Sequence, residues 1–230
     1  MRPGFRNLFP LVAVILLLHS GKALPHAALS NEACNTVTTG QPNEVHVSIP
    51  EVVINEYANN SDDLAFMTGL HNDFGSRLGG ITSANILVGY EIEPNIALLS
   101  DQQGVCAKPA LKLTVGYSTL SVYMNIEIPR NSCLYNSIFS HEMHHVAIYK
   151  NYLADNIDRI RKMVDEKFNG RAYAFSTLFE AKQYVEILGE VFSQQMRERL
   201  SREVNLLQSA LDTQTEYTRI QLECAPSGHY

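Results

Sequence analysis

Residues 111–145 read LKLTVGYSTLSVYMNIEIPRNSCLYNSIFSHEMHH, and within them the hydrophobic period changes once. Leu111, Leu113, Val115 and Tyr117 alternate along the chain, and so do Leu120, Val122, Met124, Ile126 and Ile128. Two period-two runs parted by Ser118-Thr119 predict a β-hairpin, ended by Pro129, which cannot extend a ladder. From about Ser132 to Phe168 there is neither Gly nor Pro, and Ile138, His141, His145, Ile148, Tyr152, Ile157 and Ile160 recur at helical steps. Asn169-Gly170 stops that helix.

A second helix is predicted from near Ser176, with an apolar stripe through Ala181, Val185, Leu188, Phe192, Met196, Leu200, Val204, Leu207 and Leu211. Two long amphipathic helices joined by a short turn pack antiparallel, as a helical hairpin. Upstream, Val45, Val47 and Ile49 suggest a strand, 62–78 a short helix and 86–92 a further strand. The expected class is α+β: a small, mostly antiparallel sheet followed by a long two-helix hairpin.

The chain ends add a compartment. Arg2 and Arg6 precede an apolar run from Leu8 to Leu18, and Gly21-Lys22-Ala23 places small residues at the −3 and −1 positions of a cleavage site. That is the layout of a secretory signal peptide over 1–23, and the run is shorter than the ~18 residues of a membrane span. An irregular lead-in over 24–43 and one domain over 44–230 follow. Cleavage would leave 15 basic and 24 acidic residues, a net charge of −9. Such a charge argues against nucleic acid as a partner, and no second stretch is apolar enough to span a membrane.

The acidity belongs mainly to residues 24–154, with 5 basic against 12 acidic residues. If it lines a cleft, it favours basic or neutral ligands. Cys34, Cys106, Cys133 and Cys224 are even in number on an export route, so two disulfides are expected. Cys106–Cys133, bracketing the hairpin, and Cys34–Cys224, tying the ends, are the favoured pairs.

The chemistry concentrates in His141-Glu142-Met143-His144-His145, an H-E-x-x-H on the first long helix. Residues four apart share a helix face, so His141 and His145 can bind one Zn²⁺. Glu142 stands ~100° around the helix from His141 and ~60° from His145, where it flanks the metal as a general base. Pairing His141 with His144 instead would turn the metal ~130° from Glu142, so His144 is not assigned as a ligand. A di-iron bundle would need a second Glu-x-x-His, which the chain lacks.

Together these features resemble a family of bacterial exported domains predicted, mostly from H-E-x-x-H, to be secreted zinc-dependent proteases. In that family a Cys precedes a hydrophobic strand pair ending in Pro, as Cys106 precedes Leu111–Ile128 and Pro129 here. A later helix closes on a pattern like Tyr-Asp-x-x-Thr-x-His-Gly-x-x-Gln; here Asp212, Thr215 and Gln221 match, while Tyr217 stands at the His and Thr218 at the Gly. The similarity spans roughly 85–221.

The resemblance implies a zincin-like metallopeptidase, secreted or periplasmic, acting on a peptide or protein substrate. The third zinc ligand stays open among Glu198, Glu203, Asp212 and Tyr217. If the two helices meet end to end, Glu198 and Glu203 lie level with the histidines, though both read more simply as a solvated charged face. Asp212 and Tyr217 come level only if the helices are offset or the chain folds back. The strand over 120–128 is expected to offer an edge for an extended peptide. The alternative is an exported binding or structural module with an inert or absent zinc site. Oligomeric state is not legible.

Overall fold

The computed structural model describes residues 34, 42–60, 62–64, 79–99, 104–170 and 172–225. The expected signal peptide and most of the lead-in lie outside the described residues, as does 65–78 of the expected short helix. The class is α+β, as the change of period predicts.

Seven strands are described: β1 (Glu44–Ser48), β2 (Val53–Asn59), β3 (Gly80–Glu93), β4 (Ile96–Leu98), β5 (Val105–Ala107), β6 (Ala110–Asn125) and β7 (Tyr173–Phe175). Three helices follow β6 or flank β7: α1 (Cys133–Phe168), α2 (Leu178–Leu211) and α3 (Gln214–Glu223).

The expected hairpin is a single strand, β6. Leu111, Leu113, Val115 and Tyr117 are buried, then Leu120, Val122 and Met124, while Ser118 and Thr119 are exposed. Asn85 pairs with Thr119 and Ile86 with Tyr117, so Ser118 is an extra residue in the ladder. A bulge flips the parity of inward-facing residues without turning the chain. The same flip in the sequence had suggested a turn.

β3 runs antiparallel along nearly all of β6, and β1 and β2 lie end to end along its other side, both parallel to it. Gly116 permits the junction, because a Cβ there would lie 1.9 Å from the Ser48 carbonyl oxygen. The 120–128 strand therefore offers no free edge over its paired length. The outer edge belongs to β3, which pairs only with β6 among the described residues. A second sheet, β4-β5-β7, is wholly antiparallel.

α1 and α2 pack against the buried face of the larger sheet through residues such as Val146, Leu153, Ile160, Phe192, Met196 and Leu200. Each such side chain contributes roughly 1.5–3 kcal/mol by leaving water. Each helix starts at a hydroxyl cap: Ser132 accepts from the Tyr135 N–H, Thr177 from Glu180 and Thr213 from Glu216. Gly170, at φ 73°, lets the chain leave α1.

The helices are antiparallel but do not meet end to end. Phe168, at the end of α1, stacks edge-on against Phe192, with ring centroids 5.0 Å apart. The first ~14 residues of α2, about 21 Å, run past the end of α1. There Ala181 and Val185 pack on Val105, Ala107 and Phe175 of the second sheet. This overhang shifts every later residue of α2 along α1.

The disulfides are Cys34–Cys106 and Cys133–Cys224, not the expected pairs. With no hairpin between them, Cys106 and Cys133 lie beyond opposite ends of a 16-residue strand, roughly 50 Å long. That is far outside disulfide reach.

Candidate metal centre

His141 and His145 sit one turn apart on the buried face of α1, and His144 is exposed. The overhang of α2 brings Gln208 and Asp212 level with them. His141 Nε2 lies 3.2 Å and His145 Nε2 3.0 Å from Asp212 Oδ1, and the two nitrogens are 3.1 Å apart. His141, His145 and Asp212 thus form a group able to hold a metal ion. His141 Nε2, His145 Nε2 and Asp212 Oδ1 are the three atoms that would hold such an ion. Two imidazole nitrogens and a carboxylate oxygen also suit a divalent transition metal chemically.

The imidazoles are held from behind. His145 Nδ1 donates to Gln208 Oε1, and Gln208 Nε2 donates to the His145 carbonyl at 3.2 Å. Because that carbonyl can only accept, the Gln208 amide is oriented and the hydrogen of a neutral His145 sits on Nδ1. Nε2 then points a lone pair at the Asp212 oxygen, an arrangement relieved by a proton or a metal cation. Burial lowers the His145 pKa, but Asp212 and Gln208 outweigh it and leave it raised. On His141, Nδ1 makes no hydrogen bond, although Glu216 Oε1 lies 3.4 Å away, close enough for charge attraction but poorly aligned.

Asp212 caps α2, and α3 folds back beside it. Tyr217 Oη donates to Asp212 Oδ1 at 2.9 Å, and its ring lies 5.7 Å from that of His141. Burial raises the Asp212 pKa, but contacts from His141, His145 and Tyr217 prevail and hold it well below the usual carboxylate range. Cys133–Cys224 closes this end of the molecule, joining the first residue of α1 to the cap after α3.

Glu142 is buried beside this group. The Thr82 hydroxyl donates to Glu142 Oε2 at 2.8 Å and lies 3.0 Å from the Glu142 carbonyl. Gly80 makes the room, because a Cβ there would lie 2.9 Å from Glu142 Cγ and 3.0 Å from Oε1. Burial raises the Glu142 pKa, against the lowering effects of Thr82, His145 and His141.

Two candidate ligands lie elsewhere. Glu203 binds Arg159, Arg199 and Tyr152, and exposed Glu198 accepts from Gln194 at 3.1 Å. Both had been placed level with the histidines by an end-to-end helix pair, which the overhang of α2 rules out. Tyr217 approaches through Asp212. Gln208, Thr82 and Glu216 were not singled out from sequence. The step of four from Gln208 to Asp212 was the signal available, since it repeats the spacing of His141 and His145.

The chain matches no family model, no curated protein and no solved structure.

Proposed function

We propose that this protein is an exported zinc-dependent metallopeptidase in which His141, His145 and Asp212 hold Zn²⁺. The observation that carries the reading is the convergence of Nε2, Nε2 and Oδ1 within 3.0–3.2 Å, beside a buried carboxylate that is not one of the three. Zinc fits this mixed nitrogen and oxygen donor set; when bound, it supplies Lewis acidity, polarising a carbonyl and easing deprotonation of water.

The chain's own groups do the rest. Glu142 takes a proton from the attacking water at its carboxylate and hands it to the departing amine. Thr82 holds the Glu142 carboxylate, and Gly80 leaves it space. Gln208 fixes the His145 tautomer, and Tyr217 orients Asp212. The outer edge of β3 starts beside Glu142, so an extended peptide adding there as a strand would pass the reacting centre.

Two disulfides fit an oxidising compartment. With the signal-like N-terminus, they support a secreted or periplasmic site of action. Asp212 supplies a third donor beside the two histidines, which weighs against an inert or absent zinc site.

Metal analysis and peptide cleavage by wild type and Glu142→Gln test the proposal. The variant should retain zinc and lose at least ~10²-fold in kcat. Gly80→Ala should also lose activity and keep the metal. A wild type that binds no zinc, or equal cleavage by wild type and Glu142→Gln, would overturn the reading. Tight zinc binding without hydrolysis of any peptide would favour the inert module.

A further inference from the structure

A cavity of about 210 Å³ opens between β3 and α2, lined by Ala84, Asn85 and Ile86 on one side and Arg197, Ser201 and Asn205 on the other. Tyr149 and Val204 also border it. Tyr149 stands one turn beyond His145 on α1, and Val204 one turn before Gln208 on α2. The cavity is therefore next to the metal centre, displaced toward the C-terminal half of β3. From Thr82, which holds Glu142, to Ala84–Ile86 is two to four strand residues, roughly 7–13 Å.

Its chemistry is one-sided. Arg197 Nη2 donates to the Val88 carbonyl at 3.0 Å, which pins the guanidinium to β3. A guanidinium has five N–H donors, so most remain for a ligand. Arg197 has no carboxylate partner among the described residues, unlike Arg159, Arg161, Arg199 and Arg219. Ser201 and Asn205 add a hydroxyl and an amide, and no carboxylate lines the cavity. An anchored cation with neutral donors beside it suits a carboxylate ligand.

We infer that this cavity is a carboxylate subsite for the peptide cleaved at the metal centre, with Arg197 as the specificity-determining residue. The inference rests on the peptidase reading. It runs against the preference for basic or neutral peptides that the acidic composition suggests, because the local cation outweighs the distributed charge at contact range. The carboxylate belongs either to an Asp or Glu side chain two to four residues from the cleaved bond, or to the C-terminus of a short substrate.

The test uses zinc-loaded full-length protein and matched peptides bearing Asp, Asn or Lys at each position up to four residues either side of the bond. Each is made with a free and an amidated C-terminus. Wild type should favour one acid over its amide twin by about tenfold in kcat/KM, a modest factor because Arg197 is exposed to solvent. Arg197→Ala should erase the preference and Arg197→Glu should reverse it toward Lys. Asn205→Asp, which leaves Arg197 and its anchor in place, should weaken it several-fold. Loss of preference on amidation alone assigns the subsite to a C-terminus; persistence assigns it to a side chain. Cleavage with no acid-over-amide difference overturns the subsite and leaves the peptidase reading intact. If no peptide is cleaved, fluorescence polarisation of the same labelled peptides decides. Arg197-dependent binding of acidic peptides upholds the subsite while the peptidase reading fails, and charge-independent or absent binding overturns the subsite as well.

Discussion

Glu203, within α2, and Asp212, its C-cap, both face α1, and each accepts a hydrogen bond from a tyrosine hydroxyl. Tyr152 donates to Glu203 at 2.8 Å and Tyr217 to Asp212 at 2.9 Å. Both are more acidic than usual: Arg159 foremost, with Arg199 and Tyr152, lowers Glu203 to about 2, and Asp212 also lies below its ordinary range. Their partners differ. Glu203 has Arg159 on both oxygens and Arg199 as well, so its charge is closed by cations that never titrate. Asp212 faces two imidazole nitrogens that converge on one of its oxygens. An ion pair is complete as it stands, whereas three converging donor atoms could hold a cation between them. Partner chemistry separates a structural cluster from a candidate metal site here, where burial and pKa do not.

The largest effect that would break this contrast is on metal affinity. His145→Ala should weaken zinc binding about a thousandfold, or ~4 kcal/mol, by leaving two donors in place of three. Arg159→Ala should change it less than about twofold, since Glu203 lies outside the metal group. Competition against a chelating dye measures both. Similar losses in the two variants would show that the clusters are not distinct in kind.

The disulfides sharpen the contrast next. Both close long loops, spanning 72 and 91 residues, so replacing either pair with Ser should cost about 2–4 kcal/mol of stability. Of the two disulfides, only Cys133–Cys224 ties α3, whose single buried residue is Ile220, to α1. The Cys133→Ser/Cys224→Ser double variant should therefore lose about tenfold in zinc affinity as Glu216 and Tyr217 loosen. The Cys34→Ser/Cys106→Ser variant should keep wild-type affinity. Chemical denaturation and zinc titration separate the two effects.

What sequence could reveal follows the range of the interactions. The helix carrying His141, Glu142 and His145 was legible because their spacing needs only local geometry, as did the buried stripe of α2 as far as Val204; beyond it Leu207 is exposed and Gln208 takes the inward position. The third member of the metal group was not, because Asp212 reaches the histidines only through the overhang of α2 onto the second sheet. Three-residue strands such as β5 and β7 carry almost no periodic signal, so neither the overhang nor its consequence could be read. The parity flip at Ser118 was visible, but a turn and a bulge leave the same mark on hydrophobic alternation. Reading it as a turn then misdirected the cysteine pairing and the choice of edge strand.

A smaller effect concerns acid stability. A carboxylate whose folded pKa is depressed contributes stability above its unfolded pKa and loses it as pH falls through the folded value. For Glu203 the window runs from about 4.5 down to about 2. Its side chain is about a third exposed, at 32%, so solvent screening limits the contribution to about 1–2 kcal/mol. Glu203→Gln should be less stable than wild type by that amount at pH 7 in urea, and the gap should narrow below pH 4.5 and close near pH 2. A gap independent of pH would mean that packing, not charge, carries the role of Glu203.

The smallest difference lies between the two tyrosines. Removing the Tyr152 hydroxyl leaves Glu203 with two arginines, so Tyr152→Phe should cost about 1 kcal/mol of stability and nothing in zinc affinity. Removing the Tyr217 hydroxyl leaves Asp212 free to turn toward solvent, to which it is 40% exposed. The ring would still pack on His141. Tyr217→Phe should therefore leave stability within about 0.5 kcal/mol of wild type, but weaken zinc binding about three- to tenfold, because the carboxylate loses its orientation. The reciprocal pattern is the sharpest form of the contrast, since the two substitutions delete the same atom from the same kind of bond. Zinc titration with thermal melts of both metal-free variants reads it directly, and equal zinc affinities would show that the Tyr217–Asp212 contact does not organise the ligand.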